Sequence, residues 1–446
     1  MKKTGLAVWM LALMLSAGSA SMSAIAAQGW TQSGSDWIYY DTNGDRVYDT
    51  WKKGGDNLWR YLNGDGVMAT SSWVDSDYYV DGDGVMYTDK WLKLTDEDGE
   101  QEWYYFGNSG KVIKDNWKKI DDKWYHFDED GRLEMGWIDD NTYYCGTDGV
   151  MVTGWQRLYS PDYDDDGQVT PSTGTLEDDD LHWYYFSANG KKYLPDEDSG
   201  EYGARKINGY YYCLDSEGAM QTGWKNVKSN GEGDITDYMY FGEDGKAKIG
   251  WYSVEGPEEL DGYDGSVEWF YFNNNGTPRA SEDSDLKSSD IKKINGRSYL
   301  FNEKGNPVYG LKKVYTSSSK WTAYYFGTKS QSNVQKGKMK VTEGDGSRSD
   351  FYFSENGQGY TGVKDGKLYY AGKLQEATEG SKYMCYRVSG SNYVVNSSGK
   401  VMKNDKVKDS DGVKLITNSS GELIKVDDST DIDGYVNDPI EPVWDE

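Results

Sequence analysis

The sequence is poor in the residues on which most metal, thiol and disulfide chemistry depends. Its 446 residues include three cysteines, two histidines and eight prolines. An odd cysteine count in so long a chain is not a disulfide framework. Cys145 and Cys213 interrupt aromatic runs and are predicted to be small buried hydrophobes. Because so few histidines and cysteines cannot build the usual zinc sites, we expect no metal, no cofactor and no catalytic residues.

Positive charge is also scarce. The chain has 48 Lys and Arg against 75 Asp and Glu, a net charge of −27. Nucleic acids and anionic membrane surfaces would repel such a chain, which leaves cationic or neutral partners.

Long apolar runs are confined to the N-terminus. Residues 1–27 combine Lys2 and Lys3, an apolar stretch at 6–15 and a small-residue site at 24–26. This is the pattern of a secretory signal peptide, and its apolar stretch is too short to span a bilayer. We therefore expect a secreted chain without a membrane anchor.

Aromatic residues are abundant, with 18 Trp, 39 Tyr and 10 Phe, and they recur in one repeated pattern. A run of four residues rich in aromatics is followed by three polar residues and a glycine, as in WIYYDTNG at 37–44 and WYYFGNSG at 103–110. Glycine follows the fourth residue of the run by four positions in fourteen segments, at 44, 66, 84, 110, 131, 149, 190, 218, 245, 276, 305, 357, 399 and 421. With two irregular copies, the chain holds about sixteen units.

Each unit is predicted to be a β-hairpin. Aromatic residues favour strands, and a polar segment that ends in glycine suits a hairpin loop. A lone hairpin is marginal in water, so neighbouring units must stack to hide their rings. The sequence therefore predicts an all-β solenoid of stacked hairpin repeats, each of roughly 20 residues.

The repeats divide the chain into four parts. Residues 1–27 are the signal peptide, and 28–190 are Trp-rich repeats with an acidic insertion at 160–181. Residues 191–425 are longer, degenerate hairpin repeats, and 426–446 are predicted to be an acidic disordered tail.

The unit, with Gly-Trp before the run and Met after the glycine (Gly66-Val67-Met68, Gly84-Val85-Met86), resembles the choline-binding or cell-wall-binding repeat of Gram-positive surface proteins. The resemblance implies a left-handed superhelix with ligand sites between successive units. In choline-binding members, a cage is formed by the Trp that opens a unit, the Trp that begins its run and the second Tyr of the next run. Related repeats bind glucans or serve as toxin receptor-binding domains.

Transferring that pattern to this chain predicts four cages, the last with Tyr in place of one Trp. Strand alternation supports the geometry, since the first and third rings of a run share a face and the second and fourth face the core. The predicted ligand-binding residues are Trp30, Trp37 and Tyr61; Trp51, Trp59 and Tyr79; Trp117, Trp124 and Tyr144; and Trp224, Tyr238 and Tyr271.

Other positions are predicted to be compromised because one cage member is replaced. The replacing residues are His126 beside Trp91 and Trp103, Cys213 beside Trp155 and Trp183, Leu300 beside Trp251 and Trp269, Thr142 beside Trp137, and Asp77 beside Trp73.

These features favour a non-catalytic protein that is held non-covalently on a Gram-positive envelope through choline-bearing teichoic acid. Two alternatives remain open. The same aromatic platforms could bind a neutral glucan or a host glycan, or the rings could only stack in a structural adhesin or spacer.

Overall fold

The computed structural model describes residues 28–95, 99–163, 169–170, 181–196, 201–228, 233–282 and 284–445. The predicted signal peptide and most of the acidic insertion lie outside these residues. The described chain forms two compact units, which comprise residues up to 181 with 185–192, and residues 182–184 with 193 onward. Among the described residues, no helix has the length and hydropathy needed to cross a membrane.

The described part of the first unit is made of short strands, and β16 contributes to both units. The strands are β1 Gly29–Ser33, β2 Asp36–Tyr40, β3 Thr50–Lys53, β4 Trp59–Leu62, β5 Ser72–Val74, β6 Tyr78–Val80, β7 Lys90–Thr95, β8 Gln101–Phe106, β9 Asn116–Ile120, β10 Lys123–Phe127, β11 Gly136–Ile138, β12 Tyr143–Cys145, β13 Gly154–Tyr159, β14 Asp162–Tyr163, β15 Val169–Thr170 and β16 Leu181–Phe186.

The second unit continues in the same style, with short 3-10 turns at Ile235–Asp237, Ser288–Asp290 and Asp433–Tyr435. Its strands are β17 Tyr202–Ile207, β18 Tyr210–Asp215, β19 Met220–Gln221, β20 Gly223–Asn226, β21 Tyr238–Phe241, β22 Gly250–Glu255, β23 Val267–Phe272, β24 Lys292–Ile294, β25 Arg297–Tyr299, β26 Leu311–Ser317, β27 Lys320–Tyr325, β28 Gly337–Thr342, β29 Arg348–Phe353, β30 Gly362–Lys364, β31 Lys367–Tyr370, β32 Lys373–Leu374, β33 Tyr383–Val388, β34 Ser391–Asn396, β35 Lys406–Lys408, β36 Lys414–Thr417, β37 Leu423–Val426 and β38 Val436–Asn437.

Most strands pair as antiparallel two-stranded hairpins, and the predicted all-β solenoid of stacked hairpins is confirmed. The exceptions lie in the second unit, where β28 to β32 form one five-stranded sheet. The left-handed sense of the superhelix stays a prediction.

Hydrogen bonds between backbones hold successive hairpins in register. In many repeats the residue two positions after the turn glycine donates its N–H to the carbonyl of the first residue of the preceding run, as from Met68 to Trp37 at 2.8 Å and from Met86 to Trp59 at 2.9 Å. The same bond joins Ala247 to Tyr211 in the second unit. These bonds therefore fix the position of each hairpin along the stack relative to the next.

The turn glycines are required by both conformation and space. Gly84 has a φ of 72°, which favours glycine. A Cβ atom on Gly84 would also lie 2.7 Å from the Sδ of Met68 in the preceding unit. The Gly and Met of the repeat are thus partners across the stacking interface.

Many acidic residues of the chain serve the turns. Asp41 accepts backbone N–H groups from Asn43 at 2.8 Å and Asp45 at 2.9 Å, and Asp81 and Asp128 do the same in their own loops. A carboxylate or amide that binds its own loop in this way favours turns over regular strands.

The C-terminal segment is ordered, which makes the predicted disordered tail wrong. β38 pairs in parallel with β33. The Trp444 ring packs edge-on against Trp321 at 5.4 Å between centroids. The buried Glu343 accepts the backbone N–H of Val443 at 2.7 Å. The acidic composition of the segment predicted disorder, but its few apolar residues pack against earlier repeats.

Replacing Trp444 by Ala should destabilise the second unit by about 1–3 kcal/mol, because it removes a half-buried ring and its contact with Trp321. Thermal unfolding measured by circular dichroism checks this. Val443→Ala is the matched control, since the Val443 side chain is 39% exposed. Equal melting curves for the two variants would show that the Trp444 indole contributes no stability to the second unit.

All three cysteines are free and buried, so the expectation for Cys145 and Cys213 is confirmed. Burial raises the pKa of the Cys145, Cys213 and Cys385 thiols to about 12.

Because the thiolate is the reactive form, these cysteines should resist a maleimide at pH 8 in the native chain and react on unfolding in guanidinium. Mass spectrometry of the labelled chain checks this prediction. Rapid labelling of the native protein would contradict it.

The raised thiol pKa values also predict a contribution to stability that is fully present below the unfolded thiol pKa and that falls as pH rises above about 9.

Candidate functional site

The opening tryptophan of a unit lies between two hairpins. Within its own hairpin it is paired with the third residue of the run, as Trp51 is with Tyr61. Their centroids are 5.2 Å apart. On its other side it meets the second residue of the next run, Tyr78, at 5.3 Å. The opening indole therefore joins two successive hairpins.

The outer tryptophan completes this arrangement from the same strand face. Trp59 lies two residues before Tyr61, so both side chains leave the strand on the side of Trp51. Its indole is 40% exposed. Trp51, Trp59, Tyr78 and Met86, with Ser109 at the rim, line an open cavity of about 270 Å³. Its lining consists of three rings, a thioether and a hydroxyl.

The structure therefore assembles the predicted Trp51–Trp59 site with Tyr78, and not with Tyr79. Tyr79 turns away to Trp73 and Tyr87, with centroids at 5.7 and 5.5 Å. Burial raises its pKa, as expected for a ring in the core.

The predicted site at Trp117 and Trp124 changes in the same way. Trp117 meets Tyr143 at 5.0 Å, and Trp124 is 42% exposed on the face it shares with Trp117. Tyr144 packs on Trp137 at 5.2 Å instead, where burial raises its pKa.

Two positions that were expected to be compromised form aromatic cages. Trp91 lies 6.2 Å from Trp103 and 5.0 Å from Tyr125. His126, which was expected to spoil this site, instead packs on Trp117 and contacts the Glu134 carboxylate.

The second of these cages lies in the second unit. Trp251 contacts Trp269 at 6.4 Å and Tyr299 at 4.9 Å. Leu300, the expected replacement, is buried in a core cluster and takes no part. The signal that identifies Tyr125 and Tyr299 is strand alternation, which turns the second residue of a run toward the preceding unit.

The remaining two predicted sites are not open cages. Trp30 packs on Tyr39 and donates its indole N–H to the Lys53 carbonyl at 3.1 Å. Arg60 stands in the sequence position that Tyr78 occupies one unit later. It forms an ion pair with Asp56 at 2.8 Å, which lowers the pKa of that carboxyl to about 2. Tyr61 belongs to the Trp51 hairpin, and Trp37 therefore lacks a third ring.

The site at Trp224 lacks an exposed outer ring. Phe270 lies 5.1 Å from Trp224, in the place that Tyr78 takes beside Trp51, but Tyr238, in the outer position, is only 4% exposed. Tyr271 packs on Trp251 at 5.2 Å. Trp224, Tyr238 and Tyr271 are thus structural rings.

At two further positions a lysine of the chain lies beside the aromatic groove. The Lys192 ammonium is 4.8 Å from the Trp137 ring centroid, and ring faces attract cations. Asp77, which replaces an outer Trp beside Trp73, forms an ion pair with Lys111 at 3.0 Å, and the Lys111 ammonium is 5.7 Å from the Tyr78 ring centroid.

Comparison with known proteins identifies the repeats. A cell wall binding repeat family matches residues 97–112, 115–133, 137–151 and 179–192. These four segments match cell wall binding repeats. The predicted resemblance is thus confirmed, and the matched cell wall binding repeats include Trp103, Trp117 and Trp124.

Curated relatives are similar over longer stretches. Glucosyltransferase-I of Streptococcus downei is 25% identical over 459 residues, which cover 87% of this chain and 27% of the relative. Glucosyltransferase-S of Streptococcus mutans is 23% identical over 48% of this chain and 17% of its own length. The chain thus spans about a quarter or less of these relatives.

Solved structures of Streptococcus pneumoniae proteins are also similar. The choline-binding domain of CbpL is 26% identical with a TM-score of 0.33, over 50% of this chain and 97% of that domain. CbpF in complex with ipratropium is 22% identical with a TM-score of 0.34, over 70% of this chain and 98% of that one.

The geometry separates Tyr78 from Tyr79. Tyr78→Ala should weaken choline binding at the Trp51 cage about fivefold, because it removes one ring face, and should lower the melting temperature slightly, because it also removes the ring contact with Trp51. Tyr79→Ala should lower the melting temperature more and leave choline binding unchanged, because this ring packs against three others and lies outside the cage. Equilibrium titration with choline and thermal unfolding of both variants check this. The reverse pattern would return Tyr79 to the cage.

Proposed function

We propose that the chain is a non-catalytic cell-surface protein that binds choline-bearing teichoic acid through its aromatic cages. The observation that supports this most strongly is the cavity at Trp51, Trp59 and Tyr78, which offers ring faces and the Met86 thioether to a ligand. A quaternary ammonium donates no hydrogen bonds, and such a lining suits it well.

The strength of one cage can be estimated from its rings. Each face contributes ~0.5–1 kcal/mol when exposed and about 2 kcal/mol when desolvated. Three faces give about 3–5 kcal/mol, which corresponds to a dissociation constant near the millimolar range. Retention on a cell wall therefore requires several cages on one polymer. The described residues offer four, at Trp51, Trp91, Trp117 and Trp251.

The lysines beside the cages favour choline that is attached to an anion. The Lys53 ammonium is 5.1 Å from the Trp59 ring, and the Lys93 ammonium is 5.5 Å from Trp103. A bare cation in either cage would meet repulsion from the neighbouring lysine. Choline esterified to phosphate carries its own negative charge, and that charge can face the lysine.

A second candidate is a neutral glucan held on the same rings. The glucosyltransferase relatives support this function, as one of them is similar over 87% of this chain. The two candidates differ in a simple respect, since free choline competes only with the first.

The first test is retention of the full chain on a tertiary amine resin, followed by elution with choline chloride. We expect retention at a salt concentration that releases ordinary acidic proteins, and elution by choline at constant ionic strength. Retention on dextran that is insensitive to choline would replace the proposal with the second candidate. Release of wall fragments by the purified chain would contradict the absence of catalysis.

The double variant Trp59→Ala with Trp124→Ala should elute at a choline concentration at least severalfold lower, because two of four cages each lose a face. The matched control is Tyr48→Ala with Tyr210→Ala, which removes two rings that are 50% and 56% exposed and line none of the four cages. Unchanged retention of the first variant would contradict these cage assignments.

A further inference from the structure

A second cavity in the described chain is lined by rings and by polar side chains. It has a volume of about 440 Å³ and lies beside Trp269 in the second unit. Trp269 and Tyr309 are each 47% exposed, and both line it. Asp264, Ser266 and Asn306 add hydrogen-bonding side chains to its lining.

One wall of this cavity is a loop inserted between β22 and β23. β22 ends at Glu255 and β23 begins at Val267, whereas the Trp30 hairpin turns between Ser33 and Asp36. Two hydrogen bonds hold the inserted loop against Lys304. The Tyr263 hydroxyl donates to the Lys304 carbonyl at 2.7 Å, and the Lys304 ammonium donates to the Gly262 carbonyl at 2.6 Å.

The polar groups of the cavity are also held in place. The backbone N–H of Ser266 donates to the Asp264 carboxylate at 3.0 Å, and hydrogen bonds from Ser266 lower the pKa of that carboxyl. Asn306 donates its amide to the Trp269 carbonyl at 3.3 Å. It replaces the backbone donor of other repeats, because the residue that follows it, Pro307, has no N–H.

The charged groups of the cavity have partners within the protein. Lys329 and Glu268 form an ion pair at 2.7 Å. The Lys312 ammonium donates to the Asp445 carbonyl at 2.9 Å, and the Lys304 ammonium donates to the Gly262 carbonyl. The lining holds three lysines against the carboxylates of Asp264 and Glu268, so it has no excess of negative charge to attract a cation.

We propose that this cavity is a second binding site, which takes a neutral pyranose sugar of an oligosaccharide. A pyranose presents C–H groups on its faces and hydroxyls at its edge. The exposed Trp269 and Tyr309 rings suit the faces, and Asp264, Ser266 and Asn306 suit the hydroxyls. The volume lies within the range of about 300–1,000 Å³ that is usual for small-molecule sites.

The proposal goes beyond the cages, because it assigns the chain a second ligand of different chemistry. Trp269 contacts Trp251 in a cage and also lines the cavity, so the two sites are neighbours. A polymer that carries both choline and sugar could occupy both sites at once.

The test is calorimetric titration of the full chain with maltotriose, isomaltotriose and triacetylchitotriose, and separately with phosphocholine. We expect at least one trisaccharide to bind. Tyr309→Ala and Asp264→Ala should each weaken that binding about fivefold or more, because each removes a wall or an acceptor. Neither variant should change the choline concentration needed for elution from the amine resin.

Tyr210→Ala is the matched control, since Tyr210 is an exposed ring of the same unit outside this cavity. It should bind the trisaccharide as the unaltered chain does, and all three variants should keep the melting temperature of that chain. The proposal is overturned if no trisaccharide binds. It is also overturned if the control loses as much affinity as Tyr309→Ala, or if the Trp59 and Trp124 double variant loses sugar binding while Tyr309→Ala keeps it. Sugar binding without choline elution would leave this site standing and remove the cage proposal.

Discussion

The stacking of the tryptophan-containing hairpins depends on an indole that is shared by two of them. Trp51, Trp91 and Trp251 each contact the third ring of their own run and the second ring of the next. A single hairpin cannot cover such a ring, so no unit is stable alone. The contact that stabilises the stack also leaves a ring edge at the surface. Stability and ligand binding therefore use the same side chain, and the outer tryptophan decides whether a cage exists.

The sequence was sufficient to predict the repeats, the hairpins, the opening tryptophans and the buried cysteines, because these follow from local spacing. The third member of each cage was predicted one residue too late, at Tyr79 instead of Tyr78 and at Tyr144 instead of Tyr143. Alternation itself supplies the correction. If the first and third rings share a face with their own opening Trp, the next hairpin must present its second and fourth side chains to that face. Which face meets which neighbour is a property of the stack, and no single hairpin contains it.

Charge explains the other discrepancy. The acidic composition of residues 426–446 predicts disorder, yet Trp444 packs against Trp321. The buried Glu343 carboxylate accepts a hydrogen bond from the backbone N–H of Val443. These partners lie about a hundred residues earlier in the chain, so composition within the segment says nothing about them. The Trp269 cavity was missed for a similar reason, since its wall is an insertion anchored by Tyr263 to a turn more than forty positions later.

The positions between units show three outcomes of one geometry. At Trp51 the groove is open, at Trp137 it holds the chain's own Lys192, and at Trp224 the outer ring, Tyr238, is buried. The first outcome binds a ligand weakly, and the other two give up that site for stability within the protein. Because avidity multiplies weak sites by about 10²–10⁴ only where several engage one polymer, losing a few cages is tolerable as long as the rest stay in register. The backbone bond from Met86 to Trp59 maintains that register, since it sets the height of one hairpin against the next. A repeat can therefore lose its ligand without disturbing the spacing of its neighbours, which is how a degenerate array can still act as one multivalent surface.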